Sequence, residues 1–396
     1  MNEVIVVGGG ASGIIAAVTA SEKGAAVTVL EKEKTPMKKL ARTGNGKCNI
    51  SNMSIDGSTF LSHDPARAFS IYSQFDTTKT FAFFEKLGIP VISKSGNELY
   101  PACESAASVV KIFKLEAESR GIRIKNTEYV REIEKSGSRF TVCTDTWKYE
   151  ADRVIIACGT NASTGSGDTL VSEKIAEKFD LKFYEYLPAL TRLYSKGDYL
   201  KKWAGTRVFG VIKLYVDSIC AAEDYGELQL TDCGISGIPV FNISRFVNVI
   251  LAEGRHRVEL ELDFFPDVEE NELAAMIRKL IRRKDIRRDI RQAFLGFLPE
   301  KLINAVIKEN DTAEEAVNRV KRFRIPITSL SKISESQVCS GGISLNEIND
   351  RMECIKVPGL FFCGEALDAD AACGGFNLQW AWSTGALAGN AAADEL

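Results

Sequence analysis

Two clusters of glycine and carboxylate, near opposite ends of a 396-residue chain, are spaced to do chemistry. Near the N-terminus, Gly8-x-Gly10-x-x-Gly13 is followed by Glu31. Glycines at that spacing allow a tight turn, let a pyrophosphate approach backbone N–H groups and let a helix lie against a sheet. An acid about twenty residues later suits a ribose hydroxyl. Near the C-terminus, Gly364-Glu365 ends a short apolar run, and Gly374-Gly375 precedes a helix rich in small residues. A carboxylate at a strand end can hold a sugar-like hydroxyl, and glycines ahead of a helix leave its N–H groups facing a ligand. The chemistry is that of a dinucleotide gripped at both halves. The first motif alone does not separate NAD from FAD.

The elements that must position these residues follow from hydrophobic spacing. Val4 to Val7 form a strand, a helix carrying Ala16, Ala17 and Ala20 follows, and Gly24 turns the chain into a second strand ending on Glu31. Residues 34–52, KTPMKKLARTGNGKCNISN, have no period and form a polar loop that either lies along the dinucleotide or is only a loop. Helical spacing of Phe69, Tyr72, Phe81, Phe84 and Leu87, with Gly88 as a C-cap and Ser105 capping a helix through Ser119, makes 64–124 mainly helical. Phe81, Phe83 and Phe84 are core. A small antiparallel meander occupies 122–150, turning at Gly137, and 152–160 is an apolar strand meeting glycine, with a helix from Asp168 to Phe179.

Beyond Pro188 the pattern alternates as β structure to about residue 265, as in Val208, Val211, Lys213 to Val216 and Arg257 to Leu262. It then turns helical from Asp267 to Phe323, interrupted by Gly296 and Pro299. The expected fold class is α/β. A nucleotide-binding domain (1–187 and 329–396) is interrupted by an insertion made of a β part (188–266) and a helical part (267–328).

A net charge of −3 argues against a protein that binds polyanions over its whole surface. The ten cysteines include no C-x-x-C pair, and Cys158 and Cys363 sit in apolar strands, which fits a reducing, cytoplasmic setting; no metal site is expected. No apolar run reaches the ~18 residues of a membrane span. The segment IRKLIRRKDIRRDIRQ places eight basic residues between Arg278 and Arg291, with Ile277, Leu280, Ile281, Ile290 and Phe294 as an apolar stripe. An amphipathic helix with a solvated basic face outweighs a nucleic-acid surface, because no aromatics are interleaved.

Three strand-to-glycine signals in order, Gly8 to Gly13, Ala157 to Gly159 and Gly364-Glu365, resemble the glutathione-reductase-like flavoprotein class. More narrowly, the chain resembles a bacterial family of FAD-dependent oxidoreductases called aminoacetone-oxidase-like or bile-acid-reductase-related. The resemblance rests on MKKLARTGNGKCNISN (37–52), ELYPACESAASVV (98–110), GELQLTDCGISG (226–237), VCSGGISLNEI (338–348) and PGLFFCGEALDADAACGGFNLQWAWSTG (358–385). Two departures are Met37, where the family usually has Gly, and Cys158-Gly159-Thr160, where it often has Thr-Gly-Gly.

This resemblance implies bound FAD and a Rossmann-like FAD-binding domain (1–187 and 329–396) interrupted by an inserted β-barrel-like domain (188–266) and a small helical domain (267–328). Gly8, Gly10, Ala11, Ser12 and Gly13 should hold its pyrophosphate, Glu31 and Lys32 should lie at the adenosine ribose, and Val130 should meet adenine through its backbone. Lys39, Leu40, Asn45, Gly46, Cys48 and Asn49 should run along the cofactor toward the flavin, with Ala157, Cys158 and Gly159 at the returning strand. Gly364 and Glu365 should meet the ribitol, and Gly375, Phe376, Asn377 and Leu378 the isoalloxazine edge. A helix starting near Asn377 would point its positive end at the flavin N1/C2=O edge.

The catalytic side chains are not identified by the sequence. Tyr100, Asp368 and Asp370 are candidate proton donors. The two histidines, His63 in an expected loop and His256 among charges, read as surface residues. Cys48 lacks a nearby partner for a redox disulfide. The expected activity is hydride transfer between flavin N5 and a small organic substrate. With no second G-x-G-x-x-G, NAD(P)H as reductant would have to bind without a module of its own. The alternatives are a nucleic-acid-associated flavoprotein using a basic helix over 278–291, and a flavin-containing regulator without turnover. Oligomeric state is not legible.

Overall fold

A computed structural model of the protein describes residues 2–94, 96–163, 171–254, 257–283, 285–286 and 288–394. The chain divides into two compact units, residues 1–186 with 338–396, and residues 187–337.

The first unit is built on a five-stranded parallel sheet. Its strands are β1 (Glu3–Val7), β2 (Ala26–Glu31), β3 (Arg123–Asn126), β4 (Arg153–Ile156) and β5 (Leu360–Phe362), in the spatial order β5-β4-β1-β2-β3. The order places β1 at the centre, and its four valines and isoleucines are buried on both faces, as an inner parallel strand requires. Helix α1 (Ala11–Glu22) follows β1 directly, and α2 (Phe376–Ala393) closes the chain. The two helices meet closely because small residues face each other. A Cβ on Gly385 would lie 2.4 Å from the Ser12 carbonyl oxygen, and one on Gly389 would lie 2.2 Å from that of Ala16. The C-terminal helix is thereby locked onto the helix that follows the first glycine motif, which brings the two sequence clusters into one place. An antiparallel meander (Val130–Ser136, Arg139–Thr144, Lys148–Ala151) lies between β3 and β4 in sequence. The helix after β4 is described from Val171 to Lys178; its expected start at Asp168 lies outside the described residues.

The second unit holds a closed barrel of six strands: Leu193–Ser195, Thr206–Val216, Ile219–Leu230, Gly234–Ser236, Val258–Asp263 and Phe323–Ser329. Barrel and helices bury one shared apolar cluster that runs from Leu193 and Trp203 to Val320 and Ile327. Residues 189–265 are not β throughout, because a 16-residue helix, Ile238–Glu253, interrupts them. Pro239 in its first turn, Ile243 and Val247 on its buried side, and Gly254 in the left-handed C-terminal position (φ 72°) account for it.

The expected basic helix over 278–291 is not continuous. One helix ends at Ile281, and a four-residue helix restarts at Ile290. Asp289 caps that restart, accepting from Gln292 N–H at 2.8 Å while its own N–H donates to the Gln292 side chain at 3.1 Å. Three of its eight basic residues are also paired with carboxylates. Arg278 pairs with Glu314, Arg283 with Asp285 and Arg291 with Glu309. Lys284 and Arg287 lie outside the described residues, as does His256.

Candidate functional site

The end of β1 turns into α1 through the first glycine motif. Gly8 (φ 105°) donates its N–H to the Leu30 carbonyl at 2.8 Å, and a Cβ on Gly13 would sit 1.9 Å from the Gly8 carbonyl oxygen. No side chain fits at Gly13 while the turn keeps this shape. At Gly10 the opposite holds: nothing lies within 4 Å of where a Cβ would be. Gly10 is the N-cap of α1 and supplies no capping side chain, so the N–H groups of Ala11, Ser12 and Gly13 open the helix with its positive end uncovered.

Glu31 ends β2 beside this turn and is buried. Its Oε2 accepts the Gly9 N–H at 2.7 Å and its Oε1 that of Glu33 at 2.8 Å. Burial raises its pKa against the lowering effect of those two bonds. Each oxygen keeps a second lone pair, so the carboxylate fixes the loop and can still accept from a hydroxyl. Lys32 follows, half-buried. Val130 is the first residue of its meander strand, and its side chain is buried.

Residues 37–52 wrap as two short helical turns within Leu40–Gly46, separated by a kink at Thr43, Gly44 and Asn45, followed by the strand Ser51–Asn52. Leu40, Cys48 and Asn49 are buried, whereas Asn45 and Gly46 are exposed. Lys39 Nζ reaches Glu365 Oε1 at 2.5 Å, and Thr160 Oγ1 donates to Glu365 Oε2 at 3.0 Å. The loop after β2, the turn after β4 (Ala157, Cys158, Gly159) and the Gly364-Glu365 pair after β5 therefore converge on one carboxylate. Gly364 (φ 68°) lies against Ser12, where a Cβ would meet Ser12 Oγ at 2.4 Å.

Gly375 (φ 91°) is the N-cap of α2. Asn377 turns back from the first turn, accepting the Ala371 N–H at 3.0 Å and donating to the Ala371 carbonyl at 2.8 Å. Deeper in α2, buried Gln379 accepts from Ser51 Oγ (2.6 Å) and donates to Thr80 Oγ1 (2.7 Å) and Ser383 Oγ (2.9 Å). Trp382 Nε1 donates to the Ile50 carbonyl and Trp380 Nε1 to that of Gly364. These side chains fasten the 49–52 segment and the Gly364 turn to the helix. Phe376 and Leu378 are half-buried at its start.

Among the described residues of this unit, two buried side-chain oxygens, Asn49 Oδ1 and Asp368 Oδ1, have no hydrogen-bond partner. Asn49 Oδ1 is buried and unbonded, 2.6 Å from where a Gly375 Cβ would be. A buried acceptor left open beside a helix N-terminus suits a ligand carrying N–H or O–H groups. With the open space at Gly10 and the uncovered start of α1, the residues present fit a flavin dinucleotide.

Residues 2–391 match the family model described as the HI0933-like protein Rossmann domain. The chain belongs to this HI0933-like family. It is 35% identical, over all of both chains, to the 3-dehydro-bile acid Δ(4,6)-reductase of Clostridium scindens. It is 24% identical to the ribosomal RNA dihydrouridine synthase of Haemophilus influenzae, covering 97% of this chain and 96% of that one. Among solved structures, the 3-ketosteroid Δ1-dehydrogenase of Sterolibacterium denitrificans superposes with a TM-score of 0.50 at 11% identity, covering 99% of this chain and 100% of that one, a likeness of fold. The bile-acid-reductase-related resemblance therefore holds, and the HI0933-like chain is a flavin-dependent oxidoreductase.

Within the HI0933-like framework the departure at Met37 has a structural counterpart. Met37 is held at φ 59°, a left-handed conformation that costs most residues about 1–2 kcal/mol relative to glycine, and its N–H donates to the Gly9 carbonyl at 2.8 Å. Its side chain is buried.

The proton-donor candidates fare differently. Tyr100 donates to Glu98 at 3.0 Å, and burial together with Glu98 pushes its pKa up to about 12. Cys48 is pushed up to about 12 by burial, and all ten cysteines are free thiols. Asp368 and Asp370 are buried. Sequence reasoning missed the pairing of His63 with Asp368, which lie 305 residues apart and meet at 3.0 Å.

Proposed function

We propose that this enzyme saturates a carbon–carbon double bond conjugated to a carbonyl, in a small polycyclic substrate of the bile-acid type, with NAD(P)H as the source of electrons. The observation that carries the reading is the full-length match to a 3-dehydro-bile acid Δ(4,6)-reductase. The more distant dihydrouridine synthase relative supports the same bond chemistry, since the uracil double bond that such an enzyme reduces is also conjugated to a carbonyl.

FAD, when bound, supplies the hydride at N5. The rest is done by the chain. N–H groups of Ala11, Ser12 and Gly13, with Gly8 and Gly10 giving the backbone its approach, hold the pyrophosphate. Glu31 takes the adenosine ribose with Lys32 beside it, and the Val130 backbone takes adenine. Lys39 and Glu365, with Gly364, Ala157, Cys158 and Gly159 around them, take the ribitol hydroxyls. Leu40, Asn45, Gly46, Cys48 and Asn49 line the path to the ring. The first turn of α2 (Gly375, Phe376, Asn377, Leu378) presents N–H groups to the N1/C2=O edge, where negative charge collects on reduction.

The test is anaerobic turnover with NADH or NADPH and a 3-dehydro-Δ(4,6) bile acid, with the product examined by mass spectrometry. A product two hydrogens heavier for each bond saturated is expected; unchanged substrate beside a flavin that NAD(P)H does reduce would overturn the reading. A second reading, reduction of a uridine in RNA, draws on the dihydrouridine synthase relative. Against it, Arg278, Arg283 and Arg291 are already paired with carboxylates. Salt-sensitive RNA binding lost on charge reversal at Arg282 and Arg283 would favour it.

A further inference from the structure

We infer that His63, held by Asp368, is the acid that places a proton on the substrate's carbonyl oxygen. This rests on the conjugated-bond reading above. Strands Phe60–Leu61 and Asp370–Ala371 pair antiparallel, with Ala371 opposite Phe60 and Asp370 opposite Leu61. Continuing the register puts His63 opposite Asp368. The inner end of this ladder is tied to the start of α2 by the two Asn377 bonds to Ala371. Its outer end lies three residues along, about 10 Å away at the rise of a strand. A ring system lying over the flavin can span that distance.

The pair is built as an oriented imidazole. Asp368 Oδ2 takes the His63 backbone N–H at 2.9 Å, the Ser62 hydroxyl at 3.2 Å and His63 Nδ1 at 3.0 Å. The carboxylate side chain is 2% exposed, whereas that of His63 is 53% exposed. The imidazole lies flat on Tyr184, with ring centres 3.5 Å apart and planes 2° from parallel. Lys182 Nζ lies 4.9 Å from the same tyrosine ring centre. A carboxylate at Nδ1 requires that nitrogen to carry hydrogen, which leaves Nε2 as the working atom. Asp368 Oδ1 is buried with no hydrogen-bond partner, and the Lys182 ammonium is drawn to the same carboxylate. A surface histidine needs none of this support.

The step balances. Hydride from the flavin forms a C–H bond at the far carbon of the conjugated system, the π electrons shift toward the carbonyl oxygen, and His63 Nε2–H gives its proton to that oxygen. The enol returns to ketone by exchange with water, which also restores the imidazole proton. The donor is the doubly protonated ring, which is left as the Nδ1–H tautomer once Nε2 has given up its proton; Asp368 is a positioning residue that holds the Nδ1 hydrogen throughout.

The experiment uses FAD-loaded, photoreduced protein mixed anaerobically with a 3-dehydro-Δ(4,6) bile acid or with ferricyanide, which takes electrons without a proton. His63→Ala should slow reoxidation by the bile acid roughly 100-fold, leave ferricyanide oxidation unchanged, and recover with added imidazole. Equal bile-acid rates in wild type and His63→Ala would overturn the inference while leaving the conjugated-bond reading standing. An inert wild type would defeat that reading and the role of His63 with it. An independent readout needs no flavin. Long-range ¹H–¹⁵N correlation, with the second histidine removed by His256→Gln and at a pH where the ring is neutral, should show His63 as the Nδ1–H tautomer, and Asp368→Asn should lose that preference. An Nε2–H tautomer in the wild type would overturn the inference.

Discussion

Gly10→Ala separates the fold from the cofactor site. Gly10 has φ −77° and ψ −166°, which alanine adopts freely, and no atom stands within 4 Å of the added methyl. Replacing an N-cap glycine by alanine costs about 0.5–1 kcal/mol, and stiffening the unfolded chain returns about 0.4–1 kcal/mol. The flavin-free protein should therefore unfold within about 1 kcal/mol of wild type. In the proposed site, however, the methyl occupies the open space through which the pyrophosphate would approach α1. Loss of one charge-assisted N–H bond, about 1.5–3 kcal/mol, weakens FAD binding roughly 10- to 150-fold. Gly13→Ala is the contrast. Its Cβ would lie 1.9 Å from the Gly8 carbonyl oxygen, so the turn itself must move and the flavin-free fold should lose about 2–4 kcal/mol. Flavin-fluorescence titration gives the affinities, and chemical denaturation of flavin-free protein gives the stabilities. Wild-type FAD affinity in Gly10→Ala would refute the placement of the pyrophosphate, whatever its stability.

Three further outcomes follow from the packing. Met37→Gly should be at least as stable as Met37→Ala, reversing the ~1 kcal/mol advantage alanine usually holds, because φ is 59° there; denaturation curves showing the usual order would contradict this. Alkylation of native protein near pH 8, read by mass spectrometry, should label exposed Cys103 and Cys220 and spare Cys48 and Cys363, whose burial raises their pKa to about 12. Because folding keeps those two thiols protonated, their contribution to stability is full below the ordinary value of 9.0 and is lost as pH rises toward 12; labelling of either in the native state would be the contrary result. Gln379→Leu should cost about 2–4 kcal/mol despite similar size, since the Ser51, Thr80 and Ser383 hydroxyls lose their shared partner; a neutral effect on denaturation would show that network to be idle.

The glycine motifs were legible because backbone geometry dictates them. Gly13 cannot carry a Cβ against the Gly8 carbonyl, so residue type and local shape are one fact. The same holds for Gly364 against Ser12, and strand periodicity gave the α/β class and the β character of the insert, while its closure into a barrel was an expectation from the family resemblance. What was not legible depends on long-range contact or on competing local signals. The apolar stripe running from Ile277 to Phe294 spans a break at 282–289, where Asp285 draws Arg283 aside and Asp289 caps a new start. Helix Ile238–Glu253 was hidden by β-branched residues between two strands, although Pro239 and Gly254 mark its ends. The pairing of His63 with Asp368 has no local trace. It arises only when a short antiparallel ladder joins two distant segments.

The most direct measurement of the central claim is rapid mixing of the reduced, FAD-loaded enzyme with a 3-dehydro-Δ(4,6) bile acid in the absence of oxygen, following the flavin's visible absorbance. The account predicts return of oxidised flavin, at a rate that rises with substrate concentration and with one double bond saturated per flavin reoxidised. A flavin that stays reduced in the presence of this substrate, yet is promptly reoxidised when oxygen is admitted, would contradict it.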